Sequence, residues 1–212
     1  MKRILSLLLA VLLVGAVLGG PTGTPSAEAS PAVEPVSDES DERPVTSEVV
    51  LFGDSLSARA RGKLRLLHPD WRLSAVRGRN VRRLPDLVAQ HLDEHGAPGT
   101  LVVALGTNPD ADWSRDSYRG VVQLLPAGTK VVFVTTYRDP EVFGVERSDM
   151  LRRYSRWMRQ IAAERPGTCL VPWRSRVIRR PHLMVDGVHA TPRGERVWTR
   201  LVSQGVGGCR SA

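Results

Sequence analysis

Two common signatures are missing from this chain of 212 residues. It has no Gly-x-Gly-x-x-Gly run after an apolar stretch, which excludes a dinucleotide-dependent oxidoreductase built on that turn. It has no Gly-x-Ser-x-Gly either, which excludes the usual nucleophile elbow. Cysteine is scarce, with only Cys169 and Cys209 present. Neither stands close after the amino-terminal apolar run, which argues against a lipid-modified cysteine anchor. Lysine is also scarce, and the formal charge of +8 is carried almost wholly by arginine. No internal repeat is visible.

What is present begins with a leader. Lys2 and Arg3 precede an apolar run over residues 4–18. This pattern reads as a secretory signal peptide, and the run is short for a bilayer span. Two cut positions fit, after Ala27-Glu28-Ala29 or near Gly19, and an uncleaved anchor helix is the alternative. Residues 1–29 are therefore assigned to the signal and 30–46 to a disordered Pro-rich acidic linker. The folded domain is expected over 47–212. From residue 44 onward 27 basic and 16 acidic residues remain, about +11. Such a surface suits anionic partners, including cell-wall polymers, phospholipid head groups or nucleic acid. Arginine scattered over solvated faces is the plainer reading. In an exported chain the two cysteines predict a Cys169–Cys209 disulfide that pins the carboxyl-terminal tail.

Past residue 46 apolar runs alternate with amphipathic segments. Strands are expected at 49–52, 71–76, 101–105, 131–135 and 170–173. Helices are expected at 56–67, with Leu56, Ala60, Leu64 and Leu67 inward, and at 85–91, 117–125 and 148–164. Ser148 is the expected cap of the last of these. A final helix opens at Thr191-Pro192. Fully apolar short strands between such helices predict an α/β fold, a five-stranded parallel sheet covered on both faces.

Four polar blocks interrupt this pattern: Gly53-Asp54-Ser55-Leu56, Arg77-Gly78-Arg79-Asn80, Gly106-Thr107-Asn108 and Asp186-Gly187-Val188-His189. The first three each follow a strand, and loops after parallel strands converge on one sheet edge. In order and content the blocks resemble the SGNH hydrolase family, the GDSL esterases and lipases, over residues 47–203. The resemblance implies a three-layer α/β/α, flavodoxin-like fold and ester hydrolysis or acyl transfer without a cofactor or metal. It makes Ser55 the nucleophile, His189 the base and Asp186 the group that orients the histidine. The Ser55 and Gly78 backbone N–H groups and the Asn108 amide would form the oxyanion hole, with Asn80 the alternative to Gly78. Pro109 stands where the family usually has aspartate. In this the block looks like SGNH domains that work with bacterial cell-surface acyltransferases.

Each block also has a bland reading. Ser55 could cap a helix, Asp186-Gly187 could be a turn, and Asn108-Pro109 could be another. His91-x-x-Glu94-His95 matches an inverted zinc motif. Gly96, Pro98 and Gly99 end that helix at once, and His91 continues its apolar stripe. Trp113, Tyr118 and Tyr137 either line an acyl or sugar pocket or pack in the core. The expectation is a secreted, monomeric serine esterase of the bacterial envelope, acting on a small-molecule or glycan ester. An anionic wall polymer is a second expected partner, and nucleic acid is not expected. The rivals are an O-acyltransferase to a surface glycan and a non-catalytic module that binds a wall polymer.

Overall fold

The computed structural model describes residues 45–210. The expected signal peptide and nearly all of the expected linker lie outside the described residues. Val45 already bridges Ala97, and the Thr46 N–H donates to the Ala97 carbonyl, so chain pairing starts two residues before position 47.

Five strands form one parallel sheet: β1 (Val49–Gly53), β2 (Arg72–Ala75), β3 (Thr100–Ala104), β4 (Lys130–Val134) and β5 (Thr168–Val171). Their order is β2-β1-β3-β4-β5. This is the flavodoxin-like order, with its switch point between β1 and β3. Seven helices lie among the described residues: α1 (Ser55–Leu67), α2 (Leu84–His95), α3 (Arg115–Gln123), α4 (Pro140–Phe143), α5 (Val145–Glu164), α6 (Trp173–Arg179) and α7 (Pro192–Gly208).

The period-2 alternation of the strands sorts them between two cores. Val50, Phe52, Leu101, Val103, Val131 and Phe133 face α2, α3 and α5. Leu51, Val102, Val132 and Val171 face α1, α6 and α7. The protein is thus a three-layer α/β/α sandwich around a five-stranded parallel sheet. None of the described helices is long and apolar enough to cross a membrane.

Several local expectations are corrected. Ser148 does not cap a helix. Residues 140–143 form the short α4, and Gly144 at φ 80° both ends it and caps α5. Ser148 lies inside α5 and donates its hydroxyl to the Arg138 carbonyl at 2.7 Å. Trp173 does not extend β5, because the strand stops before Pro172 and Trp173 opens α6. Leu67 does not join the inward stripe of α1 and is 61% exposed. Trp71 precedes β2 and stacks on His68 at 3.9 Å. The disulfide forms as expected between Cys169 in β5 and Cys209 at the end of α7.

Candidate active site

The turn from β1 into α1 sets the first side chain. Asp54, not Ser55, is the helix cap, and its Oδ1 accepts the Leu56 N–H at 3.1 Å. Ser55 is the first helical residue, so capping does not occupy its hydroxyl. Gly53 is required here by close approach, since a Cβ at this position would collide with the Ser57 side chain one turn on. Ser55 is 8% exposed and lies on the floor of a cleft of about 440 Å³.

The fourth block reaches Ser55 from across 134 residues of chain. The segment 184–190 is a tight loop, closed by the Met184–Ala190 bridge and by the Val185 N–H donating to the His189 carbonyl at 2.8 Å. His189 Nε2 lies 3.2 Å from Ser55 Oγ. Its Nδ1 lies 2.7 Å from Asp186 Oδ2. The other carboxylate oxygen, Oδ1, accepts the His189 N–H at 2.7 Å and the Val188 N–H at 3.1 Å. Burial alone would raise the Asp186 pKa. The hydrogen bonds from the His189 ring and from both backbone N–H groups outweigh burial and bring it down to about 2. A carboxylate held charged in this way favours Nδ1–H on the ring and leaves Nε2 to accept a proton from the hydroxyl.

Gly78 and Asn108 line the same cleft. Gly78 has φ 72°, and no atom lies within 4 Å of where a Cβ would stand, so its backbone is uncovered on that side. Asn80 does not line the cleft. Its Oδ1 accepts the Arg82 N–H at 2.9 Å, and its amide donates to the Pro109 carbonyl at 3.2 Å.

The Asn108 amide is oriented by a residue that carries no sequence signal, Arg138, in the loop after β4. Arg138 Nη2 donates to Asn108 Oδ1 at 2.9 Å, and its Nε donates to the Thr107 carbonyl at 2.7 Å. A guanidinium has no acceptor, so the amide oxygen must face it. Asn108 Nδ2 then gives one hydrogen to the Arg79 carbonyl, at 3.2 Å, and keeps the other. Asp54 is a second site residue outside the sequence expectations, although aspartate before an apolar helix is itself a cap signal. It is fully buried, and its Oδ2 accepts the Thr107 N–H at 3.2 Å, tying the first block to the third. Burial raises its pKa to about 6, against the lowering effect of these N–H bonds and of Arg138.

The other candidates fall away from the cleft. His91 is buried on α2 with Leu84 and Val88, edge-on to Phe52 at 6.2 Å and 3.5 Å from Glu48, while His95 is exposed. Trp113 and Tyr118 are buried and pack against each other at 5.1 Å. Tyr137 lies under the Arg174 guanidinium.

No family model and no curated protein sequence matches the chain. Solved structures do match its fold. The C-terminal catalytic domain of peptidoglycan O-acetyltransferase A from Streptococcus pneumoniae superposes with a TM-score of 0.71 at 20% identity, over 78% of this chain and 96% of that one. A lipolytic protein of the G-D-S-L family from Veillonella parvula gives 0.59 at 12% identity, over 76% and 97%. An acetyl xylan esterase variant from Geobacillus stearothermophilus gives 0.56 at 16% identity, over 77% and 95%.

Proposed function

We propose that this chain is an extracytoplasmic serine esterase of the SGNH type, removing acetyl or another short acyl group from a carbohydrate or lipid. One observation carries the reading: the 3.2 Å approach of His189 Nε2 to Ser55 Oγ, with Asp186 at 2.7 Å on the far ring nitrogen. In this mechanism His189 takes the Ser55 proton as Oγ attacks the ester carbonyl. The oxyanion forms against the Ser55 N–H, the Gly78 N–H and the spare hydrogen of Asn108 Nδ2. The alcohol leaves with the proton from His189. Water, activated by the same imidazole, then releases the acid from Ser55.

Short acyl groups on glycans are supported by two of the structural neighbours, a peptidoglycan O-acetyltransferase and an acetyl xylan esterase. The rim adds a preference for negative charge. Arg59, Arg77 and Arg138 line the cleft, and its one carboxylate, Asp186, is committed to His189. Transfer to a glycan hydroxyl instead of water is the second reading. It is favoured by the 0.71 superposition on the acetyltransferase domain and by Pro109 after Asn108.

The test is p-nitrophenyl acetate hydrolysis by wild type and Ser55→Ala, with acetate release from acetylated xylan and peptidoglycan measured beside it. Hydrolysis lost in the variant is expected. Equal rates would overturn the esterase and leave a wall-polymer-binding module. Acetyl appearing on an added glycan acceptor would move the reading to transfer.

A further inference from the structure

Two cavities flank α7, one toward the end of α6 and one toward α1, and share a wall. One, of about 470 Å³, is lined by Arg180, Arg193, Arg196 and Arg200 around Leu183 and Val197. The other, of about 430 Å³, is lined by Leu66 and Leu67 and again by Arg196 and Arg200. Arg193, Arg196 and Arg200 are three and four residues apart, so they stand in one stripe along α7. Arg180 joins them from the end of α6.

These four guanidinium groups have no ion pair or side-chain hydrogen bond among the described residues. The only acid on α7, Glu195, is taken by Lys63 at 2.5 Å and Arg59 at 3.5 Å. Like charges at this spacing repel one another, and nothing within the described fold offsets them. Beside them, the end of α1 presents Leu66 and Leu67, which are 86% and 61% exposed. They lie off the inward stripe of Leu56, Ala60 and Leu64.

We propose that this face docks on an anionic phospholipid bilayer. Phosphate head groups enter the cavity between Arg180 and the α7 stripe, where planar guanidinium groups hold phosphate by paired hydrogen bonds. Leu66 and Leu67 enter the boundary between head groups and acyl chains. A soluble polyanion would satisfy the arginines and leave both leucines in water. A bilayer satisfies both, and two modest signals together give stable peripheral binding. This assignment is independent of the chemistry at Ser55.

The test is hydrogen exchange of the full chain with vesicles of phosphatidylcholine alone and of phosphatidylcholine with phosphatidylglycerol. The apolar run at residues 4–18 gives the chain a second way onto either vesicle, so the readout is local. Exchange over residues 62–67 and 193–204 is expected to slow several-fold with phosphatidylglycerol only. The slowing is expected to vanish in R193Q/R196Q/R200Q and at high salt, and to shrink in L66S/L67S. Equal exchange over these segments with both vesicles would overturn the proposal. So would protection by soluble polyphosphate without protection by vesicles, which would assign the face to a polymer.

Discussion

At the scale of single residues, the site depends on groups that hold other groups still. Asn108→Ala removes one donor of the proposed oxyanion hole and is expected to lower kcat by about 10²–10³-fold. Arg138→Ala leaves the Asn108 amide free to turn over, because Arg138 fixes its oxygen at 2.9 Å. The expected result is a fall in kcat with little change in KM on p-nitrophenyl acetate. Arg138→Lys should rescue little, since one ammonium does not reproduce the fork that holds both Asn108 Oδ1 and the Thr107 carbonyl. Asp54 adds a pH dependence. Its folded pKa, about 6, lies above the ordinary carboxylate value of 3.8. The proton is therefore held more tightly in the fold, and the stability it lends is complete below about pH 4 and lost as pH rises through about 6. Two units correspond to roughly 3 kcal/mol. Wild-type melting temperature should decline across that window relative to Asp54→Asn, and parallel profiles would refute the assignment.

At the scale of elements, the turns decide where the side chains go. Gly53→Ala would push Ser57 out of the first turn of α1 and tilt the helix that carries Ser55. Its activity is expected to fall with its melting temperature. The disulfide closes a loop of 40 residues, from β5 to the end of α7. Chain entropy assigns it about 4 kcal/mol, to be read from urea unfolding of the Cys169→Ser/Cys209→Ser variant. The elements that were hard to read share a cause. Pro140 and Gly144 look like loop residues, yet they bracket a helix of one turn. Trp173 has the character of a strand residue, but Pro172 ends the ladder before it. Leu67 fits a helical stripe by spacing, but the buried stripe stops at Leu64 and Leu67 is left in solvent. Short-range pattern decides type, while packing decides where an element begins and ends.

At the scale of the whole molecule, the apolar strands and their amphipathic partners were enough to read the parallel five-stranded sheet. Its edge gathers Ser55, Gly78, Asn108 and His189 into one cleft. Arg138 was not legible, because a lone arginine after a strand has no distinguishing spacing and its partners lie about 30 residues upstream. The central claim is that Ser55 is made nucleophilic by His189. It is tested most directly by treating the protein with phenylmethylsulfonyl fluoride and mapping the adduct by peptide mass spectrometry. The account predicts one sulfonyl group, on Ser55, in wild type and none in His189→Ala. Labelling of another residue, or labelling of Ser55 that is undiminished without His189, would contradict it.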